Sequence, residues 1–199
     1  RIKELGHRMS LLPVAVRNRK EDNKTFYRVQ TLIRGRYADT TQALRFFEKN
    51  TTIPKAQNLM GKGMTLARMN KVRDARAAFE EALKLAPNEP LVKREAAIFH
   101  YQKGDYHIAL DLLKQVSAQT PSDYYARFFL ALCYLEDKKF AQAFKLFDDI
   151  LRYVPEDSEV YSYYGRALGE QGQYFKGYLY LAYSELFANN EKRMNFWLD

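Results

Sequence analysis

Residues 90–123 have the sequence PLVKREAAIFHYQKGDYHIALDLLKQVSAQTPSD, and residues 124–157 continue as YYARFFLALCYLEDKKFAQAFKLFDDILRYVPED. The two stretches are equally long, and each ends three residues after a threonine or valine that precedes a proline. With Pro87 upstream, the prolines Pro87, Pro121 and Pro155 recur at a spacing of 34 residues. A fixed period of this length indicates stacked helical repeats, because one such unit cannot bury its apolar face alone.

Small and large residues recur in register with these prolines. Placing each proline at position 32 of a unit makes the four units begin at Ala56, Pro90, Tyr124 and Ser158. Position 8 is then small (Gly63, Ala97, Ala131, Gly165), as is position 20 (Ala75, Ala109, Ala143, Gly177), whereas position 24 is large and apolar (Phe79, Leu113, Phe147, Leu181). Small residues facing large ones allow two helices to interdigitate closely.

This register is typical of the tetratricopeptide repeat, a helix–turn–helix unit. We therefore predict an all-α, right-handed solenoid of helix–turn–helix units with a C-terminal capping helix. Residues 1–21 are interpreted as a basic linker or helix that follows an upstream domain, and residues 22–55 as a degenerate first repeat. Residues 56–199 are predicted to hold four repeats, at 56–89, 90–123, 124–157 and 158–190, followed by the start of the capping helix.

The same register predicts the helix bounds. First helices are expected at 56–69, 90–103, 124–136 and 158–171, and second helices at 72–85, 106–118, 140–152 and 174–188. The turns inside the units contain Asn70, Gly104, Asp137-Lys138 and Gly172, residue types that tolerate the backbone angles of tight turns.

The charge is unevenly distributed along the chain. The whole chain has a net charge of +8, all of which falls in residues 1–55, while residues 56–199 are neutral. Such asymmetry can mark a surface for nucleic acid or anionic membrane. Since no nucleic-acid-binding motif accompanies it, we favour a solvated collar or a surface that faces an acidic neighbouring domain. Nucleic acid is an unlikely partner, and a membrane is expected to be involved only indirectly.

The sequence contains no catalytic motif. A hydrolytic zinc helix would carry H-E-x-x-H, but the three histidines are His7, His100 and His107. His100 and His107 could approach each other across a turn, yet two histidines make a poor zinc site. Cys133, the only cysteine, is interpreted as a small buried hydrophobic residue. We expect no catalytic residue, no metal site and no cofactor in this chain.

Binding is expected on the concave face, which the first helix of each unit lines with positions 2, 5, 9 and 12. Large aromatic side chains, flexible methionines and arginines suit the capture of an apolar peptide. The alternative is that these side chains pack against the protein's own next segment or a neighbouring domain. The predicted groove residues are Met60, Met64, Arg94, Ile98, Tyr101, Tyr125, Phe128, Leu132 and Arg166.

The stretch 155–198 resembles the final repeat of periplasmic zinc metallopeptidases that carry a C-terminal tetratricopeptide tail. The matching features are the turn Pro155-Glu156-Asp157, the glycines Gly169 and Gly172, the pair Leu181-Ala182 and the terminal Leu198. Residues 26–39, FYRVQTLIRGRYAD, resemble the first helix of that tail. The chain departs from the family at Tyr178, where histidine is common, and at Asn189, where glycine is common.

This resemblance implies a scaffold that binds substrates or partners for a linked zinc metalloendopeptidase of the bacterial cell envelope, and hence a periplasmic location. The protease domain and its zinc would precede Arg1, so the parent protein could be an enzyme although this chain is not. The alternative is a stand-alone tetratricopeptide adaptor in secretion, pilus or envelope assembly. In both cases the partner is a protein or peptide in the concave groove.

Overall fold

The computed structural model describes residues 40–198, except for the side chains of Glu191, Lys192 and Leu198. The predicted linker at 1–21 and the first part of the degenerate repeat, 22–39, lie outside these residues. The described part of the chain is all-helical. Its helices are α1 (Thr40–Lys49), α2 (Lys55–Arg68), α3 (Val72–Leu85), α4 (Pro90–Gln102), α5 (Tyr106–Gln119), α6 (Tyr124–Glu136), α7 (Phe140–Tyr153), α8 (Ser158–Glu170), α9 (Tyr174–Phe187) and α10 (Glu191–Leu198).

The eight helices α2 to α9 begin and end within one residue of their predicted bounds, so the helix–turn–helix prediction is confirmed. Helix α1 contains Ala43 and Phe47, which are both buried, and α10 occupies the place predicted for the start of the capping helix. No helix in residues 40–198 combines the length and apolarity needed to cross a bilayer.

The chain divides between Asp123 and Tyr124 into two compact units. In the first unit α1 packs on α2, α2 and α3 both pack on α4, and α4 packs on α5. In the second unit α6, α7 and α8 pack on one another, α8 packs on α9, and α9 packs on α10. The division coincides with the predicted boundary between the repeats at 90–123 and 124–157.

The turns inside the helical pairs share one backbone geometry. Asn70, Gly104, Lys138 and Gly172 all have positive φ, and so does Asn189 before α10. In each case the next residue donates its backbone N–H to a carbonyl five residues earlier, as Gln173 does to Leu168 at 2.9 Å. A residue in the left-handed conformation, followed by a backbone hydrogen bond that spans five residues, is the Schellman motif. It satisfies backbone carbonyl groups at the C-terminal end of a helix.

The small positions of the register lie where helices approach most closely. A Cβ atom added to Gly165 would lie 2.8 Å from the carbonyl oxygen of Gly177, and one added to Gly63 would lie 3.1 Å from the ring of Phe79. Ala97, Ala131 and the three alanines at position 20 are completely buried. Side chains larger than these would force the helices of each pair apart.

Each unit has its own core. In the first unit the buried cluster includes Phe47, Met60, Phe79 and Phe99, and the rings of Phe79 and Phe99 lie 5.0 Å apart. In the second unit the core is aromatic and centred on Tyr164, whose ring lies 4.8 Å from that of Phe144. The Tyr164 hydroxyl donates to Asp148 Oδ1 at 3.1 Å, which gives a buried phenol the polar partner that it needs.

Candidate protein-binding surface

In the first unit most of the predicted groove residues are buried. Met60 is completely buried, Arg94 and Ile98 are nearly so, and Met64 and Tyr101 are half-buried. All ten residues of α4 from Leu91 to His100 are buried, including the charged residues Lys93, Arg94 and Glu95. A helix in a two-layer array usually keeps one face in solvent, so α4 differs from an ordinary groove-lining helix.

In the second unit the predicted groove residues divide in two. Phe128 and Leu132 are buried, and Phe128 packs against Phe129 and Tyr163 with ring centroids 5.6 Å apart in both cases. Tyr125 is half-buried, whereas Arg166 is exposed. The guanidinium of Arg166 lies 6.0 Å from the centroid of the Tyr163 ring, within range of a cation–π contact. The binding role of all nine groove residues stays a prediction.

A buried ionic network surrounds Arg94 in the first unit. Arg94 donates from Nη1 to Asp123 Oδ2 at 2.9 Å, and from Nη2 to Glu95 Oε1 at 2.9 Å. The side chains of all three residues are at most 3% exposed. The neighbouring Lys93 donates from Nζ to Gln115 Oε1 at 2.8 Å. Charges are tolerated at this depth only when they are paired and hydrogen-bonded.

Burial and pairing act in opposite directions on Arg94. Burial alone would lower the pKa of the guanidinium, but the Asp123 and Glu95 carboxylates outweigh it and raise the pKa above its ordinary value. Arg94 is therefore always charged in the folded chain, and the charge stays inside the protein. This network positions α4 in its unit and gives α4 a structural role in addition to any role in binding.

The two histidines that were considered as metal ligands, His100 and His107, have different surroundings. His100 is buried, and its Nδ1 lies 3.0 Å from Asp105 Oδ2, which also accepts a hydrogen bond from Arg76 at 2.8 Å. These bonds, first from His100 and then from Arg76, lower the pKa of Asp105. His107 is exposed. Within residues 40–198 no group of three potential ligands is placed to hold a metal ion.

Cys133 is buried in α6, as predicted. Burial, with a smaller contribution from Glu136, raises its pKa to about 12. The thiolate is the reactive form of cysteine, and with its pKa raised this far Cys133 stays a neutral thiol at pH 8.

We therefore expect Cys133 to be unreactive toward a disulfide reagent such as DTNB at pH 8 while the protein is folded, and to give one equivalent after denaturation. Lys138→Cys, which adds an exposed thiol on the turn after α6, serves as the control and should react at once. Complete reaction of the native Cys133 at the rate of the control would contradict the burial of this residue.

A cluster of exposed aromatic residues covers the C-terminal end of the second unit. Tyr174, Phe175 and Tyr178 of α9 are exposed, as is Phe196 of α10. The ring of Tyr178 stacks on Trp197 at 5.9 Å, and Trp197 contacts Phe196 at 5.1 Å. We call these five residues the terminal aromatic surface.

The sequence analysis missed two features, the terminal aromatic surface and the ion pair between Asp123 and Arg94. The 34-residue period contains a clue to each. Extending the 34-residue period by one unit places its second and fifth positions at Arg193 and Phe196, and Phe196 belongs to the terminal aromatic surface. The last position of the first three units is always acidic (Glu89, Asp123, Asp157). Asp157 caps α8 by accepting from two backbone N–H groups, whereas Asp123 binds Arg94.

Comparison with known proteins agrees with the helical pairs. The tetratricopeptide repeat family matches residues 66–127 and 100–166, which together span just over half of the chain. The chain therefore belongs to the tetratricopeptide repeat family. The fold class predicted from the proline period is confirmed, and it is the class of a protein–protein interaction scaffold.

Several solved structures have a similar fold. MamA 41-end from Desulfovibrio magneticus RS-1 is 21% identical, with a TM-score of 0.63 over 87% of this chain and 97% of that one. The MamA RS-1 ArsTM double mutant is 20% identical, with a TM-score of 0.67 over 87% and 98%. MamA MSR-1 is 16% identical, with a TM-score of 0.65 over 81% and 92%. At these identities the similarity shows the fold alone.

Proposed function

We propose that this chain binds protein partners through the C-terminal end of its second unit. The observation that carries the proposal is the distribution of exposed apolar side chains. The described residues expose ten large apolar side chains, and six of them fall between Tyr174 and Phe196. Large apolar side chains clustered in this way mark interaction sites on folded proteins, and aromatic residues are enriched in interfaces.

The other exposed residues of this kind support the same location. Leu85 and Tyr153 are isolated at the ends of second helices, and Tyr106 and Ile108 share the first turn of α5. Single exposed apolar side chains are normal on a protein surface. In the terminal aromatic surface, Tyr178 and Phe196 are joined through the ring contacts that each makes with Trp197.

Photo-cross-linking in cells that express the protein tests this proposal. A photoreactive phenylalanine analogue at Phe175 or Phe196 should yield a discrete adduct with a partner protein. The matched control is the same analogue at Tyr153, which is 76% exposed compared with 85% for Phe175 and 71% for Phe196. Equal labelling at all three positions, or no adduct at any of them, would refute binding through this surface.

The finer proposal concerns the parent protein. We propose that the scaffold serves a periplasmic zinc metalloendopeptidase whose protease domain is linked before Arg1 and supplies the zinc. The resemblance of residues 155–198 to the last repeat of that family supports it, and so do the Pro155-Glu156-Asp157 turn and the paired Gly169 and Gly172. The alternative is an adaptor in secretion, pilus or envelope assembly. The coding sequence that precedes Arg1 in the same reading frame tests this choice. If it encodes H-E-x-x-H on a helix, the peptidase proposal is favoured; if it does not, the adaptor proposal is favoured.

A further inference from the structure

An open cavity of about 570 Å³ lies in the second unit, between α8, α9 and α10. Its walls include Arg166 of α8, Leu181 and Glu185 of α9, and Arg193, Phe196 and Trp197 of α10. The volume is within the range of cavities that bind a ligand or a side chain of a partner. All of these residues belong to one unit.

The described side chains that line the cavity include more positive than negative charges. Arg193 Nη1 lies 3.7 Å from Glu185 Oε1, so these two groups form an ion pair at the rim. Arg166 is exposed and contacts the Tyr163 ring, and it forms no ion pair with the side chains that the structure describes. Among the described side chains that line the cavity, two guanidinium groups therefore accompany one carboxylate, which leaves one positive charge in excess. A guanidinium on an aromatic ring is well placed to bind a carboxylate with two parallel hydrogen bonds.

The remaining walls are mainly apolar. Leu181, Phe196 and Trp197 form the apolar part, next to the hydroxyl side chains of Ser162 and Ser184, and Trp197 stacks on Tyr178. Phe196 is mostly exposed at the rim. An apolar side chain that entered the cavity beside Trp197 would bury part of the Phe196 and Trp197 rings, which is the type of contact that dominates interface energies.

We propose that this cavity docks an acidic segment of a partner protein, in which a Glu or Asp side chain pairs with Arg166 and an adjacent aromatic side chain enters beside Trp197. This proposal rests on the proposed function, for which it specifies the chemistry of the partner. The charge that favours an acidic partner is local: Arg166 adds one positive charge to the Arg193–Glu185 pair at the cavity, and opposite charges attract within a Debye length of about 8 Å at physiological salt.

The only tryptophan of the chain, Trp197, lines the cavity and so reports on its occupancy. The probe is an acetylated and amidated peptide, Gly-Asp-Glu-Phe-Asp-Gly, titrated into the whole protein while tryptophan emission is recorded. We expect a saturable change in emission. Arg166→Gln and Phe196→Ala should each weaken binding about tenfold or more, which corresponds to about 1.4 kcal/mol. Arg152→Gln, an exposed arginine of α7 outside the cavity, should leave binding unchanged.

Three results would overturn the inference. The first is equal binding of a peptide with Asn and Gln in place of the acidic residues. The second is tighter binding of a neutral peptide that ends in a free carboxylate, which would make the cavity a site for chain termini. The third is the absence of any saturable emission change. If cross-links form at Phe175 and Phe196 but the peptide does not bind, only the acidic-segment inference fails; if neither is observed, the proposed function fails as well.

Discussion

Arg94→Met is expected to lower the free energy of unfolding by about 3–5 kcal/mol, the usual cost of removing one partner from a buried ion pair. The substitution keeps much of the side-chain volume, but it removes the guanidinium that Asp123 and Glu95 both bind. The two carboxylates would then share a buried site without that charge. Urea denaturation followed by far-UV circular dichroism measures the loss.

The control for this prediction is Arg73→Met on α3, where the arginine is exposed. A change of this kind usually alters stability by less than about 0.5 kcal/mol. Neutralising the carboxylates in the same background, with Glu95→Gln and Asp123→Asn, should recover part of the loss since it removes the facing negative charges. If Arg94→Met costs no more than Arg73→Met, the network does not stabilise the unit.

Gly165→Ala is expected to destabilise the second unit by about 1–3 kcal/mol, the range found for overpacking. The new Cβ would lie 2.8 Å from the Gly177 carbonyl oxygen and 3.0 Å from the Leu181 backbone nitrogen. Backbone atoms cannot rotate away as a flexible side chain can. Helices α8 and α9 would therefore have to separate, and thermal or chemical denaturation should show the loss.

Gly169→Ala provides a matched control on the same helix. A Cβ at Gly169 would meet no atom within 4 Å. Because glycine is less favourable than alanine inside a helix, this variant should be unchanged or more stable by up to about 1 kcal/mol. The two substitutions are chemically identical and four residues apart. Equal effects of the two would mean that α8 and α9 do not approach as closely as the structure shows.

The helices and turns could be predicted from the sequence because a repeat supplies the same information several times. The small residues at Gly63 and Gly165 and the left-handed positions at Asn70 and Gly104 each have counterparts one period away. A local ambiguity in one unit is resolved by the others. This is why the predicted bounds of α2 to α9 differ from the structure by at most one residue.

The environment of the groove positions could not be predicted in this way. A position in the register specifies a face of a helix, but the burial of that face depends on which other residues pack against it in the folded chain. Met60 and Phe128 are therefore buried while Arg166, on an equivalent face, is exposed. The network around Arg94 joins residues 29 positions apart, and no neighbouring unit repeats its arginine.

The division between Asp123 and Tyr124 also determines what an unfolding experiment records. Trp197 and Cys133 both lie after this point, so tryptophan emission and thiol reactivity follow residues 124–198 only. Circular dichroism averages over all the helices, and repeat arrays need not unfold in one step. Transitions that separate along the denaturant axis would assign a midpoint to each unit. Arg94→Met would then shift a transition that tryptophan emission does not detect, and Gly165→Ala would shift the one that it does.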